Sequence, residues 1–448
     1  MRRAATVFAL LAAVGCAEQT VETPEPLNRT VVERRIVPVR APRAYDILFV
    51  VDNSPTMQNM QPTLAANAAR FGDTLRDFGG FRLDLNIGVV STDVGTAGGA
   101  PAAGCSSWGD AGTFFTGGVD ISDGSPFLRD MPDPLHPGQR ITNYRGTLTE
   151  AFTKMFALPT TTCRYAQPLR AISRALLQAE PSSPAASFVR RNATLAIVII
   201  SADDDCSLAP RILSQALPGN EDAAYRCFSQ NVQCAESTAL LGPHHACTPL
   251  DTDGEVNGMD LYHSLFQLKN GDGLGNYKLS VSLVAGPSDV ATTMAHGASG
   301  PVVEPSCGYE EAGNGTILLG RPAVRTNAFA QLFRRGISSS ICQSDWSEPL
   351  WQLASGFDYP YSVPCFNSQL AQPLDCSVRE HRYFQTPQQS TIVVPYCDAT
   401  ESSTPCYRMR KDPVSCEAPT SGWTIEVVRG PNQVLPGTFD EIECAVEP

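Results

Sequence analysis

The chain has 448 residues and a formal net charge of −13 at pH 7. This acidic balance argues against a nucleic acid as partner, because contacts to phosphate groups need a basic surface. The length predicts one large domain and one small one, and 35 Gly with 35 Pro predict long loops.

The N-terminus has the pattern of a lipoprotein signal. Arg2 and Arg3 precede an apolar stretch over 4–15 that is too short to span a bilayer as a mature helix. Small residues then lead to Cys16, as at the processing site of bacterial lipoproteins. We predict a signal peptide over 1–16 that ends at a lipidated Cys16, and an ordinary secretion signal with a coincidental cysteine is the alternative.

Residues 17–43 contain prolines between charged residues and are predicted to form a flexible tether. No other apolar run approaches the length of a membrane span, so the lipid on Cys16 is the only membrane attachment that we expect. The predicted location is the cell envelope, as an outer-membrane lipoprotein that faces the periplasm or the cell surface.

The segment Ala44–Met57 joins an apolar run to a cluster of oxygen-bearing side chains. The run from Ile47 to Val51 is typical of a strand that is buried on both faces, as in parallel sheets. Asp52, Ser54 and Thr56 follow at alternate positions, and a carboxylate with two hydroxyls in one loop can converge on a hard divalent cation. Open α/β sheets also bind ligands at this end of a strand. The alternative is a polar turn in which Ser54 or Thr56 caps the next helix.

Strands and helices alternate downstream of this loop. Hydrophobic periodicity predicts helices at 57–78, from Pro168, at 259–269, 326–335 and 346–354, and strands at 83–91, 195–200 and 279–283. We interpret 96–162 and 208–258 as insertions, the first of them made of loops around Cys105. Parallel strands joined by helices through right-handed crossovers predict a doubly wound, mostly parallel α/β sheet.

The loop after the first strand resembles the first loop of the metal-ion-dependent adhesion site in von Willebrand factor A (VWA) domains. That family has an apolar strand followed by Asp-x-Ser-x-Ser, and here Thr56 replaces the second Ser and keeps the hydroxyl. The segments 87–95, 201–207 and 226–234 are similar to a cysteine-rich branch of bacterial envelope VWA proteins. The resemblance covers residues 44–357 and implies a VWA (Rossmann-like) fold with loop insertions.

The resemblance also implies a second and a third loop at the metal site. The family has a Thr in the second loop, for which Thr162 is the candidate within 160–162, and Gln167 is an alternative oxygen donor. The third loop usually supplies an Asp where this chain has Ala202, so Asp203 is the candidate there. The implied cofactor is Mg²⁺, or Ca²⁺ or Mn²⁺, because the donors are oxygens.

A site of this kind binds rather than catalyses, because an acidic side chain of the partner completes the shell of the metal. The resemblance thus implies a lipid-anchored envelope protein for metal-dependent adhesion or protein interaction, with a protein or a polysaccharide as ligand. The alternative is a structural scaffold with a degenerate, metal-free site, in which the acidic residues 203–205 cap the following segment. The six His form no catalytic motif, so no enzymatic activity is expected.

The cysteines predict disulfides. With Cys16 set aside, 14 of the 15 cysteines remain, eight within 44–357 and six beyond, so each region could close its bridges internally. The pairing itself stays open, and the absence of C-x-x-C argues against a redox motif or a zinc ribbon. The candidates are Cys105, Cys163, Cys206, Cys227, Cys234, Cys247, Cys307, Cys342, Cys365, Cys376, Cys397, Cys406, Cys416 and Cys444.

Two further segments have distinct patterns. Residues 251–260 carry oxygens at several positions of an EF-hand-type loop, but Pro249 falls on the first ligand position, so a solvated turn that caps the next helix is the preferred interpretation. Beyond residue 357, six cysteines and the β-rich stretches 391–396 and 423–428 predict a small disulfide-rich β module over 358–448.

Overall fold

The fold is described from a computed structural model, and the described residues fall into two compact units. The α/β unit lies within 43–346, and the β unit consists of 32–38 together with residues of 365–447. The described residues are 32–38, 43–79, 83–133, 139–178, 183–191, 193–217, 222–250, 256–269, 278–298, 300–310, 317–333, 337–346, 365–382, 389–397, 405–411, 416, 421–429 and 438–447.

Some predictions lie outside these residues. They are the signal peptide with Cys16, most of the helix at 346–354 and the first half of the EF-hand-type loop. Among the helices that the structure does describe, none is long and apolar enough to cross a membrane.

The elements are numbered in chain order. The strands are β1 (Val32–Pro38), β2 (Arg43–Val51), β3 (Leu83–Ser91), β4 (Leu128–Pro132), β5 (Arg140–Thr142), β6 (Thr194–Ile200), β7 (Val232–Gln233), β8 (Gly242–His244), β9 (Thr248–Pro249), β10 (Leu279–Ala285), β11 (Thr292–Gly297), β12 (Gly300–Val303), β13 (Cys307–Glu310), β14 (Ile317–Gly320), β15 (Ser338–Ser340), β16 (Cys376–Arg382), β17 (Ser390–Val394), β18 (Cys406–Lys411), β19 (Trp423–Val428) and β20 (Phe439–Ala445). The helices are α1 (Gln61–Gly79), α2 (Leu148–Phe156), α3 (Pro168–Leu177), α4 (Pro210–Leu213), α5 (Ala223–Asn231), α6 (Gly258–Lys269) and α7 (Val324–Gln331), and a 3-10 turn over Pro55–Met60 precedes α1.

A seven-stranded sheet in the order β15-β10-β6-β2-β3-β4-β5 forms the centre of the α/β unit. The first five strands of this order run parallel, and β4 and β5 continue the sheet antiparallel. The predicted α/β class and the mostly parallel sheet are therefore confirmed. The central strands are apolar over their whole length because helices cover both of their faces.

Alternate residues of β2 pack into two separate cores. Ile47, Phe49 and Val51 pack with α1 and α2, whereas Leu48 and Val50 pack with α3, α6 and α7. Successive side chains of a strand point to opposite faces, so a continuous apolar run serves both layers.

The interpretation of 96–162 as an insertion made of loops is wrong. Strands β4 and β5 extend the central sheet, and α2 buries Phe152 against the central strand β2. Helix α2 begins at a capping box, in which the Thr147 hydroxyl accepts from the Glu150 backbone and the Glu150 carboxylate accepts from the Thr147 backbone. That pattern was readable in the sequence but is short, and a stretch with several glycine turns precedes it.

The prediction of a flexible tether over 17–43 is also wrong for residues 32–38, which the structure describes as a strand. Strand β1 pairs antiparallel with β20 at one edge of the four-stranded sheet β1-β20-β16-β17 of the β unit. The charged residues that suggested a solvated tether have partners in this unit. Arg34 pairs with Glu441, and Glu33 accepts hydrogen bonds from the backbone of Asn367 and Ser368.

Seven disulfides join all 14 predicted cysteines, and each region closes its own bridges, as expected from the even counts. Cross-links of this kind stabilise a fold mainly by restricting the unfolded chain. The pairs are Cys105–Cys163, Cys206–Cys227, Cys234–Cys247 and Cys307–Cys342 in the α/β unit, and Cys365–Cys416, Cys376–Cys444 and Cys397–Cys406 in the β unit.

A buried charge cluster makes the stability of the β unit depend on pH. Burial, with a contribution from the nearby carboxylate of Glu380, raises the pKa of Asp440 to about 6, although Arg429 donates to both carboxylate oxygens of Asp440. The folded pKa lies above the ordinary value of 3.8, so this group favours the folded state most below that value and progressively less as the pH rises through about 6.

We expect wild type to lose on the order of 3 kcal/mol relative to Asp440→Asn between about pH 4 and about pH 7.5. Denaturant unfolding of both proteins across this range measures the difference. Parallel stability curves for the two proteins would show that Asp440 does not titrate as described.

Candidate functional site

The register of the central sheet brings three strand ends together. Val51 lies opposite Ile200 of β6 and opposite Ser91 of β3. The pairing continues one residue further, since the backbone N–H of Asp52 donates to the carbonyl of Ile200 at 2.8 Å. The residues that follow β2, β6 and β3 therefore meet at the carboxyl edge of the sheet.

Asp52 is fully buried at this edge and accepts four hydrogen bonds. Its donors are the backbone N–H of Ser54 at 2.8 Å, the hydroxyl of Ser201 at 3.0 Å, and Ala202 N–H and the Thr92 hydroxyl at 3.3 Å each. Among the described residues, it forms no ion pair with a basic side chain. Burial, with a contribution from the nearby carboxylate of Asp203, raises the pKa of Asp52 to about 6.

Ser54, Thr56 and Asp203 place three oxygens next to one another. The Ser54 and Thr56 hydroxyl oxygens lie 2.6 Å apart, and the Thr56 hydroxyl donates to Oδ2 of Asp203 at 2.7 Å. We call these three oxygens the oxygen group. Ser54 and Asp203 are buried, whereas Thr56 is exposed, so the oxygen group opens to solvent on one side.

The three oxygens are of the type that a small divalent cation prefers. Neighbouring oxygens in an octahedral Mg²⁺ shell lie about 3 Å apart when the metal–oxygen distance is about 2.1 Å. The Ser54–Thr56 and Thr56–Asp203 oxygen distances, 2.6 and 2.7 Å, are somewhat shorter than that value, because each pair is hydrogen-bonded. The set is rich in hydroxyls rather than carboxylates, and the described part of the chain contains no cluster of three or more His, Cys, Asp or Glu suited to a metal.

Arg321 forms an ion pair with the predicted third-loop carboxylate. Its Nη1 donates to Oδ1 of Asp203 at 2.7 Å, and its Nη2 lies 3.6 Å from Asp222. The Asp203 charge raises the pKa of Arg321 above its ordinary value. One oxygen of Asp203 therefore faces a guanidinium while the other faces the hydroxyls.

The acidic residues 203–205 have separate partners. Asp204 accepts from the backbone N–H groups of Arg325 at 2.9 Å and Thr326 at 3.0 Å, in the first turn of α7. Asp205 is buried and pairs with the Arg325 guanidinium at 3.3 Å. Only Asp203 lies at the oxygen group. Asp204 caps α7, far along the chain, whereas Asp205 accepts from the backbone N–H of Ser207 in the following segment and of Leu169 in α3, each at 3.0 Å.

The second-loop candidates lie elsewhere. The hydroxyl of Thr162 is exposed and donates to the carbonyl of Gly104 at 2.7 Å. Its neighbour Thr161 donates to Asp93 at 2.8 Å. Gln167 is buried, and its Nε2 donates to a backbone carbonyl at 2.6 Å. The structure thus brings together Asp52, Ser54, Thr56 and Asp203 from the predicted set and leaves Thr162 outside it.

Three residues of the site were not predicted from the sequence. Thr92 and Ser201 directly follow β3 and β6, so the same argument that selected Asp52 after β2 could have found them. Arg321 is 118 residues from Asp203 in the chain and carries no local signal.

No protein-family model matches the chain, and no curated protein matches it in sequence. Among solved structures it is similar to BatB, a conserved hypothetical protein from Bacteroides thetaiotaomicron, with 11% identity and a TM-score of 0.27 over 70% of this chain and 98% of that one. An aerotolerance-related membrane protein from Bacteroides fragilis shows 12% identity and a TM-score of 0.27 over 71% and 98%. The pilus adhesin SpaC from Lactobacillus rhamnosus GG shows 7% identity and a TM-score of 0.30 over 93% of this chain and 40% of that one. At TM-scores this low, the similarities carry no argument about function.

Proposed function

We propose that this chain is a VWA-type protein of the cell envelope that binds its partner through a divalent cation. The observation that carries the proposal is the contact series from Ser54 through Thr56 to Asp203, with oxygens 2.6 and 2.7 Å apart at the end of a parallel strand. Mg²⁺ is the proposed cofactor, with Ca²⁺ or Mn²⁺ as alternatives, because every donor is an oxygen.

The residues of the site have different roles in this proposal. The carboxylate of Asp52 ties the loop after β2 to the loop after β6, because it accepts from Ser54 and from Ser201. Ser54, Thr56 and Asp203 would hold the cation, which supplies open coordination positions for a carboxylate of the partner. Arg321 already compensates the charge of Asp203, so little protein charge remains to neutralise the cation.

The partner of this site is proposed to be a protein or a polysaccharide of the envelope or cell surface. A lipid on Cys16 would anchor the chain to the outer membrane. The role is binding rather than catalysis, because the described residues at the oxygen group include hydroxyls and carboxylates but no His beside a nucleophile.

A second candidate function is a metal-free structural scaffold, and the ion pair between Arg321 and Asp203 favours it. A guanidinium within 2.7 Å of the carboxylate can replace a cation as its counter-charge. In that case, the hydroxyls of Ser54 and Thr56 only stabilise the turn.

Titration calorimetry of the chain that begins at residue 17, with Mg²⁺, Ca²⁺ and Mn²⁺, tests the proposal. We expect one saturable site in wild type and an affinity at least about tenfold lower in Asp203→Asn, which loses a charged ligand. Asp120→Asn is the matched control, since Asp120 is a surface carboxylate that pairs only with the exposed Arg145 among the described residues. Flat traces for wild type with all three metals would reject the cation and favour the scaffold.

A further inference from the structure

Two further acidic residues, Asp93 and Asp110, lie near the oxygen group but do not belong to it. A cavity of about 340 Å³ is lined by Asn53, Ser91, Asp93 and Asp110, together with residues of the 113–115 and 158–161 segments. Asn53 stands between Asp52 and Ser54 in the chain, so the cavity adjoins the proposed cation site.

The polar residues of this cavity offer acceptors without a matching positive charge. Asp93 accepts from Thr161 at 2.8 Å, and Asp110 accepts from the hydroxyl of Ser91 at 2.6 Å. Neither carboxylate forms an ion pair with any Lys, Arg or His that the structure describes. Two carboxylates that share one cavity favour a cationic ligand.

The side chain of Asn53 gives independent evidence that a hydrogen-bond donor is missing next to the cavity. Its side chain is 3% exposed, and its Nδ2 donates to the carbonyl of Pro159 at 3.2 Å and to Asp110 at 3.5 Å. Its Oδ1 is buried and has no hydrogen-bond partner. An unsatisfied buried carbonyl oxygen destabilises the folded chain, so a ligand that reaches it with an N–H donor would be stabilised.

The other wall of the cavity is apolar and decides the class of cation. Phe114, Phe115 and Leu158 line it. A volume of about 340 Å³ is far larger than one inorganic ion. A primary ammonium on an alkyl stem matches both walls, because its head donates three hydrogen bonds while its stem packs on aromatic and aliphatic carbon.

We propose that this cavity binds a primary alkylammonium group, and that its source is a lysine side chain of a protein partner. An amino sugar carries the same ammonium, but its ring presents hydroxyls to the apolar wall. The inference goes beyond the proposed cation site and does not need it, since the ammonium bonds to protein atoms alone.

The test uses the chain that begins at residue 17 in EDTA, so that failure of the metal site does not affect the result. The probes are the tripeptide Gly-Lys-Gly, the same peptide with Nε-acetyl-lysine, and glucosamine, and binding is followed by NMR titration. We expect saturable binding of Gly-Lys-Gly that weakens at least tenfold in Asp110→Asn, and no saturation by the acetylated peptide. Asp110 is exposed, so this variant is expected to fold, and a thermal melt checks that it does.

Two more variants make the result specific. Thr160→Lys places an ammonium at the exposed rim of the cavity and is expected to compete with the peptide. Asp120→Asn, at a residue that does not line the cavity, is expected to bind as wild type does. Equal binding of both lysine peptides, or unchanged binding in Asp110→Asn, would overturn the proposal. Stronger binding of glucosamine would reassign the cavity and also overturn the proposal. So would Ca²⁺ binding that needs Asp110, measured in a separate titration without EDTA, if no peptide binds.

Discussion

Replacing Arg321 by glutamine is expected to tighten divalent-cation binding at the oxygen group about 100-fold, or about 2.7 kcal/mol. The guanidinium lies 2.7 Å from Asp203, so it would compete with the proposed cation for the same carboxylate. Two unit charges about 4 Å apart interact by about 4 kcal/mol at an effective dielectric constant near 20, which sets the scale of the gain. Calorimetric titration of Arg321→Gln with Mg²⁺ measures it.

Arg145→Gln is the control for this prediction. Arg145 forms an ion pair with Asp120 at 3.1 Å, and both side chains are largely exposed, so its loss is not expected to change cation affinity. Arg321→Gln could remain folded in a thermal melt and still bind no cation. In that case, the guanidinium is the native counter-charge of Asp203, and the metal-free scaffold is the better proposal for the function.

Replacing Phe49 by alanine is expected to destabilise the α/β unit by about 3–5 kcal/mol. Phe49 is fully buried, and its ring lies 5.4 Å from that of Phe71 in α1 and 5.4 Å and 4.9 Å from those of Phe152 and Phe156 in α2. The substitution therefore removes the centre of an aromatic cluster that joins two helices to the middle of the sheet. Urea unfolding followed by circular dichroism measures the loss.

Leu240→Ala is the matched control, because Leu240 is 60% exposed and its truncation is expected to change stability by less than about 0.5 kcal/mol. A similar small loss for Phe49→Ala would mean that α2 does not pack on β2. It would also restore the interpretation of residues 96–162 as peripheral loops.

The strands that position the site were predictable because they are buried on both faces. The apolar run of β2 and the strands predicted at 83–91, 195–200 and 279–283 match the observed β3, β6 and β10 to within about two residues. Parallel pairing of these strands then places Asp52 beside the residues that follow β6. The first loop of the site was accordingly found from local sequence.

The contacts that were not predicted depend on residues distant in the chain. The pairing of Arg321 with Asp203 and of β1 with β20 joins segments whose own sequences only indicate a charged loop and a charged linker. Thr162 was selected from three neighbouring threonines that no pattern separates, and the structure turns it towards Gly104 instead. Charge patterns alone do not show which charges will find partners.

The pairing of β1 with β20 has a mechanical consequence. Under the proposed anchoring at Cys16, a pull on a bound ligand reaches the membrane through β1, because that strand lies between the anchor and the rest of the chain. The β1–β20 ladder extends over seven residue pairs, and the disulfide Cys376–Cys444 covalently joins β20 to β16. Tension along the chain would therefore act on β1, which the ladder with β20 and the disulfide hold within its sheet.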